Sequence, residues 1–518
     1  METRARQRTP FNVSSQKLTT GACVMIFSAL YVPITLLNAS RKQFWNDELF
    51  TFYIARLSPV EIWNVLLTGV DQTPPLFYLI TRAAMALPVD PLIAMRLPEI
   101  IGFWIAGAGT LMIVARYVPP IYGLLASALL LVSDAYPYSY EARPYAIVAG
   151  LATLAFLSWR DAQTTRPWLR TIALGVIVAG VVSIHYYSIL IVGAIAFGEL
   201  LRTWRARRFR WSIWIALTCG ILPLTLYLPL IAGARTYAPF FWSKPSLSSA
   251  PAFFTTIMGP VAFPIALLVM FACGLFLPSA RAGDIPGIGA SRRVPPAEVA
   301  AVIAWAALPI PAVIAAFSIT GAYNHRYVLS AALAICVMIG WAAAIVFGRR
   351  LVPALCATVV CFAAFIARDA SSVRWHISDR RPVAEYLQRH APENLKIAIA
   401  DPLMFFELSH QASIRLRSRL VYFADPKLAI RYTGTDTPDR GLIGLSRIAP
   451  LQLEGLGNVL ASGQRFAIFG HPGLFSWLVP ELIARKVPTY IAGEFNGRLL
   501  LIAEPDKAAG SIHLSRGE

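Results

Sequence analysis

The sequence predicts a polytopic α-helical membrane protein with a small C-terminal α/β domain, and three observations carry that reading. Apolar runs of roughly 18 residues or more recur almost end to end down to about Ala367, the length demanded by a hydrocarbon core of ~30 Å. Of 518 residues, 57% are hydrophobic and 14% charged, with a mean hydropathy of +0.58. One soluble core of this length does not hide so much apolar surface. From about Asp369 the texture changes to charged, alternating segments.

The chain opens with METRARQR and the apolar stretch 21–37, which resembles a signal peptide. That stretch is long, and Asn38-Ala39-Ser40 is a poor small-x-small match, so an uncleaved first span is expected after a cytoplasmic 1–19. The same triplet fits the glycosylation pattern, a match that chance often supplies. Spans are expected near 20–38, 94–116, 119–134, 141–158, 170–184, 186–201, 211–233, 256–278, 298–318, 328–347 and 351–368. The six cysteines, Cys23, Cys219, Cys273, Cys336, Cys356 and Cys361, all lie in apolar runs without metal-like spacing and read as small core residues.

Segment 74–87 decides the topology. It is short for a span and contains Arg82, which fits an interfacial helix within a first outer loop 39–93. If it does not cross, the loops on the side of the N-terminus carry eighteen Lys and Arg against nine on the opposite side before the tail. The positive-inside rule then gives eleven spans over 20–368, a cytoplasmic N-terminus and an external domain 369–518. The same distribution turns the net charge of +18 into a topology signal rather than a nucleic-acid footprint. In the tail, helix-like 383–390 precedes strand-like 395–400, 419–423 and 465–470; helix-like 474–486 follows. Strands 489–494 and 498–503 flank the hairpin signal Phe495-Asn496-Gly497. This alternation argues for a small α/β domain, and no Gly-rich phosphate loop assigns it a cofactor.

With this topology, acids, arginines and aromatics converge on the outer face. They are Asp47-Glu48, Asp71, Tyr138 to Tyr145 with Glu141-x-Arg143, His185-Tyr186-Tyr187, Arg235 to Lys244, and Tyr323 to Tyr327. Polar turns and interfacial aromatic belts explain much of this, and a helix dipole alone would favour Asp47 at a first turn. They explain less well why Asp47-Glu48 and Glu141-x-Arg143 begin helices at a membrane surface, where charge is costly. Such a face suits chemistry on a lipid-linked anion. A carboxylate acts as general base on an acceptor hydroxyl, arginines hold a phosphate, and aromatics pack on sugar faces.

At these residues a family becomes visible. W-x-D-E-L-F-T at 45–51, D-x-x-P-P-L-F-Y at 71–78, R-L-P at 96–98 and Y-x-x-E-A-R-P-Y-A at 138–146 resemble the GT-C glycosyltransferases. The resemblance is to the bacterial group related to protein O-mannosyltransferases, lipid A aminoarabinose transferases and rhizobial galacturonosyltransferases, and it spans roughly 20–350. It implies an inner-membrane transferase that takes a sugar from a polyprenyl-phosphate donor at the periplasmic face. The acceptor would be an envelope glycolipid or a protein. Asp47 would be the catalytic base with Glu48 beside it, and Glu141 the third catalytic acid. Arg143, Arg326, Asp71, Tyr145, His185 and Tyr327 would bind substrate. No cofactor is implied as required, although Asp47, Glu48 and Glu141 offer oxygen ligands to a divalent metal. One departure is Thr73, where relatives often carry Lys or His, which shifts the phosphate burden to Arg143 or Arg326. A lipid-sugar transporter or flippase, or a non-catalytic glycan-assembly protein, are the rival classes. No internal repeat supports the former; the latter would use the same arginines.

Overall fold

A computed structural model describes residues 13–162, 166–276, 294–348, 350–370, 378–471 and 475–505. Up to Ala370 the described chain is almost entirely helical. Within the described residues, outside which 277–278 of the run 256–278 lie, each expected apolar run folds as a helix or as a bent pair of helices. Proline opens many of them, at Pro59, Pro75, Pro91, Pro120, Pro167 and Pro296, where a missing N–H costs nothing. Asp90 adds a side-chain cap, its carboxylate accepting from the Leu92 N–H at 2.8 Å.

Among the described residues, six helices are long and apolar enough to cross a bilayer, and two bent pairs bring the number to eight. The bends follow from proline inside an apolar run, which removes a helical hydrogen bond. Trp211–Leu226 and Leu228–Arg235 meet at 56°, with Pro223 and Pro229 at the break; Pro296–Ala306 and Pro309–Thr320 meet at 50°. Pro120–Val132 and Ala331–Phe347 are shorter apolar helices. A helix of 13 residues rises only about 20 Å, and Tyr122 to Val132 are all buried against neighbouring helices. The segment 74–87 folds as a separate helix, Pro75–Met85.

Two expectations change. Asp47 and Glu48 do begin a helix, Asn46–Ala55, but Glu141 and Arg143 do not. Tyr136–Tyr140 is a 3-10 turn, Glu141 is extended, and the next helix starts only at Tyr145. Pro144 disfavours helical backbone at Arg143 and so delays the start. The cysteines are also less uniform than expected: Cys336 and Cys361 are buried, whereas Cys219 and Cys356 are exposed; the Cys273 side chain lies outside the described residues.

The C-terminal unit carries a six-stranded sheet in the order β3-β2-β1-β4-β6-β5. The strands are β1 Ile397–Ile399, β2 Leu420–Phe423, β3 Leu453–Glu454, β4 Phe466–Gly470, β5 Thr489–Phe495 and β6 Arg498–Ala503. The first four are parallel, and the β5–β6 hairpin adds on antiparallel beside β4. Its turn has positive φ at Asn496 (51°) and Gly497 (72°), as an Asn-Gly hairpin turn requires. Strands β1, β2 and β4 are wholly buried, so both faces are covered. One face, with Ile397, Ile399, Phe405 and Leu442, is continuous with the core of the helical region. The other closes over Ala398, Val421, Phe466, Ile468 and Trp477. The helix over 383–390 is observed as Arg381–His390 and that over 474–486 as Leu478–Ala484. The two-residue strand β3 and the helices Pro402–Gln411 and Thr437–Leu445 had no counterpart in the sequence reading.

Candidate active site

The short helix Asn46–Ala55 places two adjacent acids on different sides. Glu48 turns inward and is fully buried. Its oxygens meet Arg96 at 2.7 Å through both Nε and Nη2, and Oε1 also accepts from the Ala142 N–H at 2.8 Å. Arg96 donates further to the carbonyls of Ala39 and Lys42, both at 2.7 Å. Burial alone would raise the Glu48 carboxyl; the Arg96 guanidinium outweighs it and holds the group below its ordinary range. This buried pair ties the end of the first helix, the helix Pro91–Ala115 and the 141–144 segment to one another.

Asp47 points the other way, into a cavity of ≈ 630 Å³, and pairs with Arg326 Nη1 at 2.7 Å. Arg326 stands on the 3-10 turn His325–Val328, whose start is capped by Asn324. Its guanidinium lies over the rings of Trp45 and Tyr145, with centroids 5.8 and 5.4 Å away. A second pair lies beside the first. Arg143 reaches the Asp71 carboxylate at 2.8 and 3.4 Å and the Asp47 carbonyl at 3.2 Å, so it also pins the backbone under Asp47. Burial would raise Asp71, but Arg143 overcomes it and keeps the carboxyl below the usual carboxylate range.

An aromatic box forms part of the cavity lining. His185 packs against Tyr145, Tyr187 and Tyr327 at 5.6, 6.1 and 5.3 Å, and Tyr187 against Tyr327 at 5.2 Å. The box leaves His185 Nδ1 and the Nε atoms of Arg143 and Arg326 buried without a protein partner. Buried donors and acceptors of this kind are normally satisfied, so the site is built to receive polar groups. Leu224, Leu228, Ile231, Ala315 and Ile319 from the two bent helix pairs add apolar side chains to the lining of the same cavity. The C-terminal unit contributes Leu403, Thr437, Pro438 and Leu442 to the remaining wall.

Of the residues singled out from sequence, Asp47, Asp71, Arg143, Tyr145, His185, Arg326 and Tyr327 thus line one cavity. Glu48 and Glu141 are not among the residues that line it. Glu48 is consumed by Arg96, and Glu141 pairs with Lys42 at 2.5 Å. The three acids are held by three separate cations. Among the described residues, no group of three or more His, Cys, Asp and Glu is arranged to hold a metal ion. Lys42, Trp45 and Tyr187 join the site's framework without having been assigned a role. Trp45 and Tyr187 carried local signals, the first as the head of the W-x-D-E-L-F-T motif and the second in the His185-Tyr186-Tyr187 turn, whereas Lys42 carried none.

No protein-family model matches the chain, and no curated protein does. Solved structures do. ArnT from Cupriavidus metallidurans in the apo state superposes with a TM-score of 0.57 at 12% identity, covering 93% of this chain and 98% of that one. The same protein bound to undecaprenyl phosphate gives 0.55, with the same identity and coverage. The archaeal oligosaccharyltransferase AglB from Archaeoglobus fulgidus gives 0.44 at 11% identity, over 88% of this chain and 69% of that one. The chain shares the fold of ArnT. In the ArnT likeness that fold extends through the C-terminal unit, beyond the 20–350 over which the motifs run.

Proposed function

We propose that the chain is a membrane glycosyltransferase that moves a sugar from a polyprenyl-phosphate donor to a hydroxyl of an envelope acceptor, a glycolipid or a protein. The observation that carries this reading is the Asp47–Arg326 pair, 2.7 Å apart on a cavity that apolar side chains of two bent helix pairs also line. A carboxylate and a guanidinium at one point serve the two ends of a displacement. The acceptor hydroxyl attacks the anomeric carbon as the bond from that carbon to the phosphate oxygen breaks. Its proton passes to Asp47, and the polyprenyl phosphate leaves with the bonding electrons and a charge that Arg326 balances. A guanidinium carries five N–H donors, so Arg326 keeps donors for phosphate while one nitrogen faces Asp47.

The other residues follow from their places. Arg143, held by Asp71, keeps the Asp47 backbone fixed and turns a donor toward the cavity; His185, Tyr145 and Tyr327 pack around the sugar. Glu48 and Glu141 act through Arg96 and Lys42 as framework rather than as acids in the reaction. The apolar lining from the bent helices takes the polyprenyl tail, and undecaprenyl phosphate in the ArnT structure is the donor chemistry that suits it. We retain eleven crossings, a cytoplasmic N-terminus and a periplasmic C-terminal α/β domain at the bacterial inner membrane, because the charge asymmetry of the loops supports them.

Asp47→Asn separates a transferase from a protein that merely binds lipid-linked sugar. Loss of the base lowers transfer by about 10²–10⁴-fold, while undecaprenyl phosphate still binds. Mass spectrometry of envelope glycolipids, compared between cells with the natural and the substituted chain, reads the first; titration of the purified protein reads the second. Unchanged transfer in Asp47→Asn would sink the assignment.

A further inference from the structure

The helix that carries Asp47 has an N-terminus it cannot satisfy alone. Trp45 precedes it and offers no capping oxygen; Glu48 reaches back only to the Trp45 N–H, at 3.4 Å. The first N–H of the helix itself, that of Asn46, donates at 3.0 Å to Oε1 of Glu407, which lies 361 residues away on the C-terminal helix Pro402–Gln411. Glu407 is buried, and its other oxygen accepts from Arg380 Nε at 2.7 Å. Arg380 is fixed in turn, because its own N–H donates to Gln411, whose amide donates to the Ser378 carbonyl, both at 2.7 Å.

The contact around this cap is dense. Phe406 meets Phe50 and Tyr53 at 5.5 and 5.8 Å, and the Tyr53 hydroxyl lies 3.2 Å from His410 Nδ1. The helix Thr437–Leu445 presses on the same element, and a Cβ at Gly441 would stand 3.0 Å from Phe50 Cζ. Two helices of the C-terminal unit therefore seat on one ten-residue helix, and the polar contact falls one residue before Asp47.

We propose that Glu407 is a positioning residue for the transfer reaction: by capping the Asn46 N–H it holds Asp47 opposite Arg326, so that docking of the C-terminal unit sets the geometry of the active site. The role of Asp47 in this statement rests on the function proposed above. A carboxylate at a helix N-terminus meets both an orphan donor and the positive end of the dipole. The arrangement differs from an ordinary cap only in that another part of the chain supplies it.

The test uses the full chain in lipid nanodiscs and two readouts. Hydrogen exchange follows the amides of Asn46 to Phe50, and transfer assays on envelope extract give kcat and the KM for donor lipid. In Glu407→Ala, exchange at these amides rises about tenfold, the range expected for a lost cap. The kcat falls while KM for donor stays within about threefold, since the donor-binding arginine is untouched. The double variant R380M/E407Q removes the guanidinium that would compete for the amide oxygen, keeps a carbonyl facing Asn46, and restores exchange to within about threefold of the natural chain. Unchanged exchange at Asn46 in a folded Glu407→Ala protein overturns the proposal. So does a loss of protection spread evenly over the whole chain that R380M/E407Q fails to reverse. If the natural chain transfers no sugar at all, the proposed function fails, while the exchange results still decide whether Glu407 caps the helix.

Discussion

Asp47 and Glu48 are neighbours of the same chemistry, each paired with one arginine, yet they live in different regions. Glu48 and Arg96 sit in a knot with no exposed side chain and every carboxylate oxygen in use. Asp47 and Arg326 face a cavity, with side chains 19% and 11% exposed and buried nitrogens left over. The knot holds backbone segments together; the cavity pair retains unspent hydrogen-bonding capacity. Charge pairing alone therefore says nothing about role. What separates the two is whether a third party can reach the pair.

The largest expected effect breaks the knot. Arg96→Met leaves Glu48 as an uncompensated buried carboxylate, which costs about 3–5 kcal/mol and removes the donors to the Ala39 and Lys42 carbonyls. Thermal unfolding of the purified protein in detergent should show a large drop in midpoint, with transfer lost only because the fold is lost. If Arg96→Met folds normally but cannot transfer, the knot is part of the reaction and the contrast with Asp47 collapses.

A smaller effect sharpens the cavity side. Arg143 links Asp71 to the Asp47 backbone, so Asp71→Asn and Arg143→Met should each reduce transfer by roughly 10–100-fold, the scale of one charged hydrogen bond lost. They act on the same interaction, so the double variant should lose little more than Arg143→Met alone. Additive losses would mean that Asp71 contacts substrate on its own.

Legibility in the sequence followed range of interaction. The helices were readable because a bilayer imposes a length and a polarity on each run, and strands β1, β2 and β4 because both their faces are covered and they read as apolar runs. Seven site residues were readable because they sit in short motifs at helix ends. Local pattern failed where the deciding partner is far away in the chain. That Glu48 belongs to Arg96 and Glu141 to Lys42 depends on which way two side chains turn from one membrane surface. The wall supplied by Leu403, Thr437, Pro438 and Leu442 had no motif, since uncharged residues line a cavity only through the docking of the unit that carries them. The strand β3, two residues long, is held by β2 and by nothing in its own sequence.

The smallest effect extends the comparison to an acid that no cation pairs with among the described residues. Asp439 in the C-terminal unit is buried among neutral donors, the Trp477 indole and Tyr422 hydroxyl at 3.2 Å and the Asp425 N–H at 2.9 Å. Burial, only partly offset by these donors, pushes its carboxyl up to about 6. Asp71, with Arg143 beside it, goes the other way. The pH signs are therefore opposite. The Asp439 contribution is fully present below the unfolded carboxylate range near 3.9 and is lost as pH rises through about 6, whereas that of Asp71 is present above that range and is lost as pH falls. Between pH 5 and 7 the protection of the β2 amides against hydrogen exchange should weaken by about 1 kcal/mol, and Asp439→Asn, neutral throughout, should flatten that slope. A slope unchanged in Asp439→Asn would show that a different buried acid, such as Glu407, raised to about 7 mainly by burial, sets the pH dependence of the C-terminal unit.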